Sequence, residues 1–96
     1  MKSMPKLSQT LSKKVTVINE LGVHARSAAM IAKIAQNAHA AVWIEKDGER
    51  VDATSIIDIL TLACSKGTGI TIAINDPTDK NILDSIVRMF KEGFGE

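Results

Sequence analysis

The sequence predicts an α+β fold, a four-stranded antiparallel sheet covered on one face by three helices in the order β-α-β-β-α-β-α. Three observations carry this expectation. Short stretches of β-branched residues alternate at period two. Segments between them place apolar residues three and four apart. Asp47-Gly48 marks a two-residue hairpin, because both residues suit the positive φ that such a turn requires. A last strand that returns beside the first completes the sheet.

The elements follow in order. Residues 1–12 mix Ser, Thr, Gln and Lys without period and are expected to form a flexible tail, with a single domain over 13–93. Val15 and Val17 open the first strand, and Asn19-Glu20-Leu21-Gly22 breaks it. From Ala25 to about Asn37 a helix is expected, with Ala28, Ile31, Ala32 and Ala35 on its inner face. Ala40, Val42 and Ile44 share one face of a second strand, and Arg50–Ala53 form a third. Ser55–Ser65 reads as a second helix, capped by Ser55 and closed by Gly67. Ile70, Ile72 and Ile74 make the fourth strand. Asp76-Pro77 then starts a last helix, with Ile82, Ile86, Met89 and Phe90 inward and Gly93 at its end.

Composition narrows the function classes. The 96 residues suffice for one domain, and 45% hydrophobic with 24% charged residues is an ordinary globular balance. A formal net charge of +1 gives no bulk argument for nucleic acid or an acidic membrane as partner. Cys64 is the single cysteine, so no disulfide within the chain is possible, and its apolar surroundings suit a small buried thiol. No apolar stretch approaches a membrane span, and the lysine-bearing amino terminus lacks the apolar core of a secretory signal. A cytoplasmic protein is the expectation.

The segment Gly22-Val23-His24-Ala25-Arg26-Ser27-Ala28 is the most informative. Gly22 lets the backbone turn, and His24 arrives at the start of a helix. There the backbone N–H groups of Ala25, Arg26 and Ser27 carry the positive end of the helix dipole, which makes an anion site. The dipole disfavours imidazolium and so favours a neutral, nucleophilic ring. A phosphoryl group on that ring would meet the same N–H groups and the planar fork of Arg26. A helix-capping histidine with no chemistry fits the geometry equally well.

The string Gly22-Val23-His24-Ala25-Arg26 resembles the active-site motif of the HPr family, the histidine phosphocarriers of the bacterial phosphoenolpyruvate–sugar phosphotransferase system. The likeness extends over roughly residues 13–92, because the order of strands and helices is also that family's. It implies an open-faced sandwich of the HPr kind, with His24 as phosphoryl acceptor through Nδ1 and Arg26 as phosphate partner. It further implies an enzyme I type donor, an enzyme IIA type acceptor, no cofactor, and a carrier in place of a turnover enzyme. One departure stands out: the family usually has proline where this chain has Ser27. Serine adds an N–H and a hydroxyl, which leaves the chemistry intact and alters the pitch of the first turn.

By the same resemblance Ser55 corresponds to the serine that a dedicated HPr kinase/phosphorylase modifies. A helix dipole would favour phosphate there, whereas Asp58 one turn on would repel it. The second helix carries Ile56, Ile57, Ile59, Leu60, Leu62 and Ala63 nearly all the way round, more than one sheet can cover. Ile57 and Leu60 are therefore expected to be exposed. With Ile56, and with Met30 and Lys33 on the first helix, they form the expected docking surface for donor and acceptor.

Other candidates are weaker. His39 has no Cys, Asp or His at ligand spacing in the sequence and is expected to be structural, with no metal bound. Trp43 is expected on the opposite face from Val42 and Ile44. An alternative from another class is a small-ligand-binding regulatory domain of the ACT or ferredoxin-like kind, which shares the β-α-β-β-α-β core. RNA binding through the open sheet face is poorer, because the chain has no Tyr and one Trp. A monomer is expected, since a carrier exposes its histidine to two partners in turn.

Overall fold

Alternating β-branched residues build the sheet, and the computed structural model describes it over residues 11–96. The elements are β1 (Leu11–Thr16), α1 (Ala25–Ala35), β2 (Val42–Lys46), β3 (Glu49–Asp52), α2 (Ile56–Thr61), β4 (Gly69–Ile74) and α3 (Lys80–Lys91). Short 3-10 turns lie at Pro77–Asp79 and Gly93–Gly95. The strand order is β1-β4-β2-β3, antiparallel throughout, so the expected α+β architecture is the observed one. β4 is an inner strand: Ile72 lies opposite Lys13 on one side and Ile44 on the other.

The core forms where the inner sheet face meets the helices. Val15, Val17, Val42, Ile44, Ile70, Ile72 and Ile74 meet Ala28, Ile31 and Ala35 of α1 and Ile59 of α2. The alanines let α1 approach closely. α3 buries Leu83, Ile86, Val87 and Phe90, while Ile82 and Met89 are only partly covered. Its inner stripe is thus rotated by one position from the expected Ile82–Met89 face. The hairpin turn is as expected, with Asp47 and Gly48 both at positive φ (52° and 83°).

Three boundaries differ from expectation. Residues 1–10 of the expected tail lie outside the described residues, but Leu11 and Ser12 belong to β1, paired with Ile74 and Ala73. At the other end the core runs past residue 93: Phe94 is buried and meets Phe90 edge-on, ring centroids 4.8 Å apart. α2 stops at Thr61, well short of Ser65. Ala63 takes a left-handed φ of 52°, and Lys46 Nζ donates to the carbonyls of Leu62 (2.8 Å) and Ala63 (3.2 Å). Gly67 does not close the helix; its N–H donates to Val17 O at 2.7 Å and extends the sheet contact.

Two polar arrangements hold the chain where loops meet the core. The buried Asp79 carboxylate accepts from His39 N–H (2.9 Å), Ala40 N–H (3.0 Å) and the His39 ring at Nδ1 (3.0 Å). His39 is therefore structural, as expected. Burial alone would raise the Asp79 pKa, but these donors outweigh it and hold the carboxyl below the usual range. The other arrangement is at Gly22, whose φ is +65° and where an added Cβ would lie 2.5 Å from Cys64 O and 2.9 Å from Ser65 Cα. Beside it Val23 N–H donates to Cys64 O at 2.8 Å.

Asp79→Ala is expected to cost about 2–4 kcal/mol in a denaturant titration, because two backbone N–H groups lose their acceptor. Since the folded carboxyl titrates below the ordinary aspartate value of about 3.9, its contribution is present above that pH and is lost as pH falls through the lower folded value. The variant should accordingly show a shallower loss of Tm than the parent below about pH 4. Gly22→Ala, meeting backbone at both near contacts, should cost at least ~2 kcal/mol by the same titration.

Candidate functional site

Helix α1 starts directly after His24, whose backbone is extended (φ −115°, ψ −176°) and whose carbonyl accepts Ala28 N–H at 2.8 Å. His24 is thus the N-cap residue. The N–H groups of Ala25, Arg26 and Ser27 lie in the first turn, where no intrahelical acceptor is available. This places the expected phosphate-binding backbone around the imidazole. The Ser27 hydroxyl turns inward: the residue is fully buried, and Oγ accepts from His24 N–H (2.9 Å) and donates to His24 O (3.1 Å). It fixes the His24 backbone and is turned away from an incoming anion.

Arg26 projects into solvent, its side chain 63% exposed, and Nη1 lies 4.0 Å from Met30 Sδ one turn along α1. Two residues that the sequence did not single out complete the site. The Glu96 carboxylate is hydrogen-bonded through Oε2 to His24 Nε2 and lies 3.3 Å from Arg26 Nη2. Its Oε1 accepts from Asn19 Nδ2 at 3.0 Å. Asn19 is buried, and its Nδ2 also donates to Gly22 O at 2.7 Å. Asn19, then His24, then the charge of Arg26 hold the Glu96 carboxyl below its ordinary range.

Glu96 reaches this position because Phe94 is anchored in the core and Gly93, Phe94 and Gly95 all adopt positive φ. The turn is closed by Gly95 N–H to Glu92 O (3.1 Å) and Glu96 N–H to Gly93 O (3.1 Å). No short-range pattern announces a contact across such a separation. Asn19 carried a signal only as a strand breaker.

The remaining sequence candidates sit elsewhere on the helices. Ser55 caps α2, its Oγ accepting Asp58 N–H at 3.2 Å. With α2 only six residues long, the dipole behind Ser55 is weaker than an 11-residue helix would give. Ile57 is 73% exposed, Ile56 39% and Leu60 38%, so the expected exposure of Ile57 and Leu60 is seen. α1 packs on α2, with Met30 partly buried and Lys33 exposed on its last turn. Ile18 and Leu21, flanking Asn19, are further exposed apolar side chains. Cys64 is buried, and burial pushes its thiol pKa up; it lies in the loop after α2, outside any helix. Trp43 lies under the Arg50 guanidinium at 5.4 Å from the ring centroid. Among the described residues no cluster of three or more His, Cys, Asp or Glu could hold a metal, and no helix is long and apolar enough to cross a membrane.

Comparison with known proteins converges on one family. The family model described as "PTS HPr component phosphorylation site" matches residues 11–92. Phosphocarrier protein HPr of Cupriavidus necator is 33% identical over 86 residues, covering 90% of this chain and 97% of its own. Phosphocarrier protein NPr of Klebsiella oxytoca is 35% identical over 88 residues, covering 91% and 98%. Among solved structures, HPr-C-His from Thermoanaerobacter tengcongensis superposes with a TM-score of 0.81 at 31% identity, covering 90% of this chain and 97% of that one. With the family model, the curated relatives and the solved structures in agreement, the chain belongs to the HPr family of phosphocarriers of the phosphotransferase system.

Proposed function

We propose that the chain is a stoichiometric phosphocarrier, not a turnover enzyme, in which His24 takes a phosphoryl group on Nδ1. The donor is a phosphoenolpyruvate-charged protein of the enzyme I type, and the acceptor is of the enzyme IIA type, in sugar uptake or its regulation. The observation that carries this reading is the place of His24 as N-cap of α1, its side chain turned toward the Ser27 N–H of a first turn whose N–H groups have no intrahelical acceptor. Such an end of a helix suits phosphate oxygens, with Arg26 and the first-turn N–H groups of Ala25, Arg26 and Ser27 as donors.

The exposed side chains of Ile56, Ile57 and Leu60, with Met30 and Lys33 on the adjoining helix, support a shared docking face for donor and acceptor. On this reading the protein works as a cytoplasmic monomer. Ser55 is the position for a second, regulatory phosphorylation by a kinase of the HPr kinase/phosphorylase kind. A phosphate there would face Asp58 across one turn of a short helix, so it would loosen the start of α2. The rival small-ligand reading draws nothing from the shape of the molecule: an open depression of about 380 Å³ over Lys14, Thr16, Glu45 and Thr71 shares no residue with the histidine site.

Incubation with labelled phosphoenolpyruvate and an enzyme I type donor should put acid-labile, base-stable label on the wild-type chain and none on His24→Ala. Arg26→Ala should be labelled at least about tenfold more slowly, the equivalent of one charge-assisted hydrogen bond of ~1.5–3 kcal/mol. Undiminished label on His24→Ala would reject His24 as the acceptor.

A further inference from the structure

We propose that Glu96 is a positioning residue for phosphoryl transfer, holding the His24 ring as its Nε2–H tautomer so that the lone pair stands at Nδ1. The inference rests on the reading of His24 as the phosphoryl acceptor. Its basis is the directionality of the hydrogen bond. An ionised carboxylate can only accept, so the nitrogen that faces it carries the proton. Glu96 Oε2 faces Nε2, and the His24 side chain is turned as acceptor toward the Ser27 backbone N–H in a capping box, which leaves Nδ1 as the nitrogen without a proton. The neutral ring therefore offers Nδ1 as nucleophile.

The carboxylate is itself held in place. Asn19 Nδ2, on a buried side chain, grips Oε1, while Arg26 Nη2 approaches Oε2. Phe94 fixes the backbone that delivers it. The constellation repeats the logic of an acid that orients a histidine through the ring nitrogen not engaged in the chemistry.

The chemistry balances without any proton transfer. The Nδ1 lone pair forms the new N–P bond while the bond from phosphorus to the donor's leaving atom breaks, its electron pair staying with the donor. The proton on Nε2 stays where it is, so the phosphorylated ring carries positive charge beside the Glu96 carboxylate. On delivery the N–P bond breaks, its pair returns to Nδ1, and the ring is again neutral with Nε2–H intact. Glu96 thus faces charge that is present in the transfer states and absent from the resting ring.

The test uses the full 96-residue chain. In ¹⁵N-histidine NMR of the neutral ring, the wild type should show Nε2 protonated and Nδ1 unprotonated, with a slowly exchanging Nε2–H proton. Glu96→Ala should lose that proton signal and gain a measurable Nδ1–H population. Glu96→Gln should keep the tautomer, because its amide oxygen still accepts. Uptake from the charged donor should fall about tenfold in Glu96→Ala at saturating donor, a typical effect of removing a group that orients a histidine, with KM for the donor unchanged. Glu96→Gln should fall between the two. An unchanged uptake rate in Glu96→Ala overturns the proposal, as does a single Nε2–H tautomer in that variant. Absence of label on the wild-type chain overturns the carrier reading itself, a result separate from the ring spectra.

Discussion

Val23 N–H donates to Cys64 O at 2.8 Å, and that bond exists because Gly22 has no side chain to push the two backbones apart. It ties the loop after β1 to the turn after α2, and the histidine follows one residue later. The amino end of α1 is thereby aimed at a fixed point on the surface. Ser27 adds a second restraint from inside the helix, closing its hydroxyl on both the N–H and the carbonyl of His24. On the proposed reading, the nucleophile that meets two proteins in succession sits on backbone with few alternatives, its own side chain 29% exposed.

The hairpin, the inner face of α1 and the alternation of β4 were legible because each is a local pattern, complete within a few residues. The end of α2 was not, because Ala63 adopts a conformation that alanine rarely takes and Lys46, from β2, supplies the closing hydrogen bonds. Gly67 misled for the same reason: its freedom serves the contact with Val17. The position of His24 and Arg26 at the start of α1 could be read from the local sequence, and exposure of Ile57 from an excess of apolar residues around one helix. Glu96 and Asn19 could not, since their meeting depends on Phe94 entering the core beyond the glycine that had looked like an end. The Asp79 carboxylate was hidden likewise, its partners His39 and Ala40 lying on the far side of three strands and a helix.

Polar groups in this small protein are concentrated where an element begins. Ser55 caps α2, Asp76 accepts Thr78 N–H at 2.9 Å at the start of the Pro77–Asp79 turn, and Asp79 secures the approach to β2. Away from these starts the interior is almost wholly aliphatic, with the Phe90–Phe94 pair as its aromatic exception. Asn19 is the buried polar residue that departs from this economy, and it is the one that reaches the functional surface.

The place of β4 inside the sheet sets an order on biosynthesis. β1 and β2 both pair with it, and neither pairs with the other. On a chain emerging from the ribosome, the β2–β3 hairpin can close as soon as it is free, but β1 has no neighbour until Gly69–Ile74 has been translated and has left the exit tunnel. Until then Leu11–Thr16 is a bare strand edge, and Ile70, Ile72 and Ile74 are not yet there to cover it. The sheet is consequently completed in one late, long-range step in which a single strand inserts between two waiting partners.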